Sequence, residues 1–115
     1  MSHEKRRFSR ENLEVRVDLN TGRAITVGLS ENISTGGLFV ATYNTPRLGE
    51  KLQISFFIPV SDFAIDTTGI VRWIRPHEDN GRRAGFGLEF ASIKAEDLRA
   101  IEFFVDHSES GNETG

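Results

Sequence analysis

The chain has no cysteine, so disulfides are impossible and thiolate metal sites are excluded. Histidine is scarce too: His3, His77 and His107 are the three, and no pair has the spacing of zinc ligands. A basic excess is also missing. With 14 Lys and Arg against 17 Asp and Glu, the net charge is −3, whereas proteins that coat nucleic acid carry a large positive surplus. Binding of DNA or RNA is therefore not expected. No apolar run approaches the length of a membrane span, and no hydrophobic stretch follows the N-terminus as a secretory signal requires. Membrane insertion is not expected, and the cytoplasm is the expected compartment.

What remains is an ordinary globular composition of 115 residues, 37% hydrophobic and 27% charged, enough for one core. The charge is unevenly spread. Residues 4–10 read Glu-Lys-Arg-Arg-Phe-Ser-Arg, four cations in seven positions, and residues 1–11 are expected to form a flexible basic arm. His107 to Gly115 carry no apolar side chain and are expected to be a disordered tail, leaving 12–106 as the folded domain.

Within that domain the apolar period is mostly two. Leu13, Val15, Val17 and Leu19 alternate with charged residues as a half-buried strand. Asn20-Thr21-Gly22 marks a turn, and a second strand runs from Arg23 to Ser30. Further strands are predicted at 38–42, 51–58, 63–75 and 83–90, with Gly69 marking a bulge or bend in the fifth. From Ser92, a plausible cap, the period becomes helical, and Leu98, Ile101 and Val105 fall on one stripe. The pattern predicts a mostly β fold, a six-stranded antiparallel barrel with one C-terminal helix.

Catalytic apparatus is not evident, and an enzyme is not expected. Ser34 is in Asn-Ile-Ser-Thr-Gly-Gly, not a nucleophile elbow. Gly85-Phe86-Gly87 opens no helix, so it is not a dinucleotide fingerprint.

Two short motifs stand out instead. Arg6 and Arg10 form an Arg-x-x-x-Arg pair, and Asn32, Ser34 and Gly37 form an Asn-x-Ser-x-x-Gly turn. Chance supplies roughly one of the first in this composition but only about 0.09 of the second, counting either Asp or Asn at its first position. Together, in this order, on an arm and on the turn between the second and third strands, they are the signal. Each has a plainer reading: a solubilising charge run for Lys5-Arg6-Arg7, a tight turn for 32–37, a positive φ for Gly37.

The element order and both motifs resemble the PilZ domain, a bacterial receptor for cyclic di-GMP. The likeness runs from Lys5 to about Val105 and includes Gly69-Ile70-Val71-Arg72-Trp73 and the Gly85 to Phe90 strand. The resemblance implies that Arg6 and Arg10 contact phosphates and guanine edges, and that Asn32 and Ser34 hydrogen-bond the nucleotide. Gly37 matches the last position of the second motif, and Asn32 stands where the family more often has Asp. Guanidinium forks suit both phosphate oxygens and the guanine O6/N7 edge. Trp73 is either an aromatic wall for a purine or part of the barrel core. Lys5 and Arg7 add cations beside the motif pair, and the resemblance links a basic residue at position 5 to two stacked nucleotides per chain. No cofactor besides this ligand is implied. Output is expected to pass to a separate, unidentified effector protein. Some members of the family are implied instead to be adaptors that bind a protein and ignore the nucleotide. No sequence feature assigns an oligomeric state.

Overall fold

The computed structural model describes residues 11–59 and 64–114, with side chains as far as His107. Seven strands, β1 Glu11–Asn12, β2 Arg16–Asn20, β3 Ile25–Ile33, β4 Gly37–Ala41, β5 Lys51–Phe56, β6 Ile65–Arg75 and β7 Gly85–Ser92, precede one helix, α1 Ala95–Thr114. All pairings are antiparallel. The order β3-β2-β5-β6-β7-β4 closes through β4 back onto β3, and the two-residue β1 adds to β3 outside the ring. This is the closed six-stranded barrel that the alternation predicts, with one extra strand. Closure removes the free edges that an open sheet of this size would expose.

The core follows the inward positions of the strands. Val17 and Leu19, Leu38 and Val40, Leu52, Ile54 and Phe56, Ile65 and Val71, and Phe86 and Leu88 meet inside the barrel. Ile101 and Val105 of α1 join that cluster, so the helical stripe closes the barrel. β3 is the exception. Its small residues Gly28 and Ser30 are buried while Ile25, Val27 and Leu29 are exposed. A Cβ on Gly28 would stand 2.5 Å from Val40 Cγ1, so the barrel is too narrow there for a larger side chain.

Three boundaries differ from the sequence reading, each for a local reason. The stretch from Leu13 to Leu19 is not one strand. The Ser30 hydroxyl donates to the Leu13 carbonyl and accepts from Val15 N at 3.0 Å, and this side-chain bridge separates β1 from β2. Ser92 does not cap the helix. It ends β7, where its carbonyl accepts from the Thr67 hydroxyl, and the first helical bond runs from Leu98 N to the Lys94 carbonyl at 2.9 Å. Finally, α1 continues past His107 to Thr114. No proline interrupts it, and its polar residues are compatible with helix though they offer no apolar stripe. No helix among the described residues is long and apolar enough to cross a membrane.

Two bulges shape the β6–β7 pairing, and the second prepares the site. At the first, Thr68 pairs with Ser92 but Gly69 with Phe90, so the extra residue is Ala91 of β7; the irregularity falls beside Gly69, as expected, but the bulged strand is β7. At the second, Val71 pairs with Leu88 and Trp73 with Gly87, so Arg72 is the extra residue. Before it, Ile65, Thr67, Gly69 and Val71 are buried. After it the parity flips, and Arg72 and Trp73 are both exposed. A bulge re-aims side chains in this way. It turns Trp73 from an expected inward position to the outer surface.

Candidate functional site

The Asn-x-Ser-x-x-Gly segment forms the turn between β3 and β4. Ser34 N donates to the Gly37 carbonyl at 2.9 Å, and Phe90 N donates to the Gly36 carbonyl at 2.9 Å, which docks the turn on β7. The Ser34 hydroxyl accepts from Gly36 N at 3.1 Å and donates to the Gly37 carbonyl at 3.4 Å. Ser34 is buried, so its hydroxyl shapes the turn. Asn32 is half-buried on β3, opposite Phe39 of β4.

Gly37 is not glycine for a positive φ, since the positive-φ glycines are Gly22, Gly49 and Gly81. Its backbone lies against β7, where a Cβ would stand 1.9 Å from the Leu88 carbonyl oxygen. Close approach of two strands requires it.

β1 brings the other motif's end of the chain to this turn. Glu11 pairs with Ile33 and Asn12 with Asn32. Glu11, which follows directly on Arg10 in sequence, is thereby held beside the second motif. Lys5, Arg6, Arg7 and Arg10 themselves lie outside the described residues.

Beside the turn, the outer face of the barrel carries an aromatic platform. Phe39 faces outward from β4, yet it is only 2% exposed, because Trp73 and Arg75 cover it. The Phe39 and Trp73 ring centroids are 5.1 Å apart with a 33° tilt. The Arg75 guanidinium lies 4.2 Å from the Phe39 centroid and 5.5 Å from that of Trp73, within cation–π range. Two glycines of β7 make room for it. A Cβ on Gly85 would stand 2.8 Å from the Phe39 ring, and one on Gly87 would stand 2.1 Å from Trp73 Nε1.

Ion pairs tie the platform to the root of the arm. Arg75 Nη1 donates to the Arg83 carbonyl at 2.7 Å and lies 3.5 Å from Glu31, the residue before Asn32. Arg83 reaches Glu31 at 3.7 Å and Glu14 at 3.2 Å. Arg75 is nearly buried. Deleting a partner of a buried charge costs far more than an exposed pair contributes.

Between the turn and the platform is a groove of about 180 Å³, lined by Ser34, Gly37, Phe39, Arg72, Trp73 and Glu89 among others. A larger concavity of about 520 Å³ lies elsewhere, lined by Asp18, Asn20, Gln53, Ser55, Asp66 and Lys94 among others. Its two carboxylates would repel a phosphate, and neither motif lines it. Among the described residues no cluster of His, Asp and Glu is arranged to hold a metal.

The structure thus brings together Asn32, Ser34, Gly37 and Trp73, of which Trp73 is 45% exposed and outside the core. Phe39, Arg72, Arg75 and Glu89 were not legible as site residues. The Gly-x-Gly of β7 is the one sequence feature that could have pointed to large side chains crossing that strand, because a Cβ at Gly85 or Gly87 would meet Phe39 or Trp73.

A family model for the PilZ domain matches residues 4–107. No curated protein matches the sequence. Among solved structures, the Bacillus subtilis inhibitor of motility (MotI/DgrA) superposes with a TM-score of 0.82 at 24% identity, over 92% of this chain and 52% of that one. The PilZ domain of YcgR from Escherichia coli, with c-di-GMP, gives a TM-score of 0.69 at 10% identity, over 96% of this chain and 95% of that one. The K. pneumonia MrkH–c-di-GMP complex gives 0.73 at 17% identity, over 96% and 55%. The chain spans about half the length of the inhibitor of motility and of MrkH. With a family model covering both motifs, the barrel and most of the helix, this chain belongs to the PilZ domain family.

Proposed function

We propose that this chain is a receptor for cyclic di-GMP, not an enzyme, and that it relays the level of the nucleotide to a separate protein. The observation that supports the reading is the register of β1, which pairs Asn12 with Asn32 and so sets Glu11, the residue after Arg10 in sequence, beside the turn. Two members of the same fold were solved with c-di-GMP.

In this reading Arg6 and Arg10 clamp phosphates and guanine edges, Asn32 hydrogen-bonds the nucleotide, and the turn built by Ser34 and Gly37 presents the surface beneath it. Trp73, exposed beside the groove, offers its face to a purine. Arginine forks give charge-assisted bonds of about 1.5–3 kcal/mol each. Two stacked nucleotides bring four phosphate charges together, a repulsion that nearby cations must offset. Lys5 and Arg7 supply them, so the saturated chain holds two nucleotides, and Lys5→Leu shifts the endpoint toward one. Calorimetric titration tests both points: no heat at high micromolar ligand defeats the receptor reading, and a wild-type endpoint of one defeats the pair.

The second reading, a protein-binding adaptor that ignores the nucleotide, is favoured by one observation. Ile25, Val27, Leu29 and Tyr43 leave apolar side chains exposed, Ile25 at 72% and Tyr43 at 93%. The same titration separates the two.

A further inference from the structure

Arg72 owes its position to the bulge in β6. The register passes from Val71↔Leu88 to Trp73↔Gly87, which leaves Arg72 as the inserted residue with its side chain on the surface. There its Nε donates to Glu89 Oε1 at 2.5 Å, and both side chains are more than half exposed, at 55% and 56%. Glu89 in turn is the register partner of Gly37. Both charges line the groove that Ser34, Gly37 and Trp73 share.

An ion pair between solvated side chains is weak and is readily traded for another partner. A guanidinium carries five N–H donors in a planar fork that fits a phosphate at least as well as a carboxylate. Glu89 has the opposite tendency, because its charge repels any phosphate that enters the groove. The pair therefore places an attractive and a repulsive charge together at the groove, each holding the other in check.

We propose that Arg72 is a third phosphate-binding arginine of this chain and that Glu89 is its competitor. On nucleotide binding, Arg72 exchanges the Glu89 carboxylate for a phosphate oxygen, and the strength of the Arg72–Glu89 pair sets the affinity. This rests on the cyclic di-GMP reading above. It adds a residue outside both motifs and a carboxylate that weakens binding.

The test is a calorimetric titration of the full chain with cyclic di-GMP, comparing wild type, Arg72→Ala, Glu89→Gln and the double variant. Loss of the pair alone would move the two single variants in the same direction. The exchange moves them oppositely: Arg72→Ala weakens binding about tenfold, and Glu89→Gln tightens it about threefold. In the Arg72→Ala background the gain from Glu89→Gln shrinks, as coupled residues require. Circular dichroism accompanies each variant, and Arg72→Gln replaces Arg72→Ala if the latter does not fold. Wild type that binds, with Arg72 variants within about twofold of it, overturns the assignment and leaves the receptor reading intact. So does a Glu89→Gln variant that weakens binding, or one whose gain is undiminished without Arg72. Wild type that fails to bind overturns the receptor reading itself, and this inference with it.

Discussion

Trp73 lies over Gly87 so closely that a Cβ at position 87 would stand 2.1 Å from the indole Nε1. A side chain on β7 and the present position of the indole are mutually exclusive. Gly87→Ala is therefore expected to lift Trp73 off the strand and away from Phe39. Because Trp73 is half exposed, it can swing outward, and the stability cost should stay at the low end of the roughly 1–3 kcal/mol typical of overpacking. Trp73 is the sole tryptophan, so its emission reports the change directly. A red shift with weaker nucleotide binding is expected, and unchanged emission would contradict the contact.

Gly37→Val should destabilise the barrel whether or not nucleotide is present. The added Cβ meets the Leu88 carbonyl oxygen at 1.9 Å, and backbone on a paired strand cannot yield as a flexible side chain can. About 1–3 kcal/mol or more is expected, read as a lowered thermal midpoint without ligand. A variant as stable as wild type would show that the two strands can part at no cost.

Arg6→Ala and Arg10→Ala should each weaken cyclic di-GMP binding about tenfold or more, since each removes charge-assisted bonds. Thermal stability of the barrel should change little, because an unpaired arginine side chain is seldom part of a buried core. Wild-type affinity in both variants would remove the arm from the site.

Asp97, buried in the first turn of α1, has its carboxyl pKa raised, chiefly by desolvation, with Glu96 and Asp66 adding to the rise and Lys94 opposing it. A raised carboxyl pKa means that the fold holds this proton more tightly than the unfolded chain does. The contribution to stability is thus present at acid pH and is lost as pH rises through the window above the ordinary aspartate value. Asp97→Asn should flatten that part of the profile when urea unfolding is followed upward in pH from the ordinary aspartate value. An unchanged slope would show that the group is adequately solvated.

The alternation of apolar residues made β2, β5 and β7 legible, and the shift in period after Phe90 made the helix so, although the pattern points to Ser92 and the helix begins at Ala95. Both depend on neighbours in sequence, as does the turn chemistry of Asn32 to Gly37. The parts that sequence did not disclose depend on registers between distant strands. Nothing local says that Arg72 is an inserted residue, yet that one slip moves Trp73 from core to surface. Nor does β3 announce that Ile25, Val27 and Leu29 face outward; the width of the barrel opposite Val40 decides it. The glycines of β7 were visible, but their purpose was not, because Phe39 and Trp73 reach them from other strands. The reason for Gly37 was likewise hidden, since the Leu88 carbonyl that excludes a side chain lies about fifty residues away in sequence.

The most direct measurement is a calorimetric titration of the wild-type chain with cyclic di-GMP, taken to saturation. Coupled ordering of the arm would consume about 2–5 kcal/mol of the gross binding energy, which puts the expected affinity near micromolar or somewhat tighter. The account predicts saturable heat in that range and an endpoint of two nucleotides per chain. No heat at high micromolar nucleotide, from a protein whose circular dichroism shows the folded barrel, would contradict it.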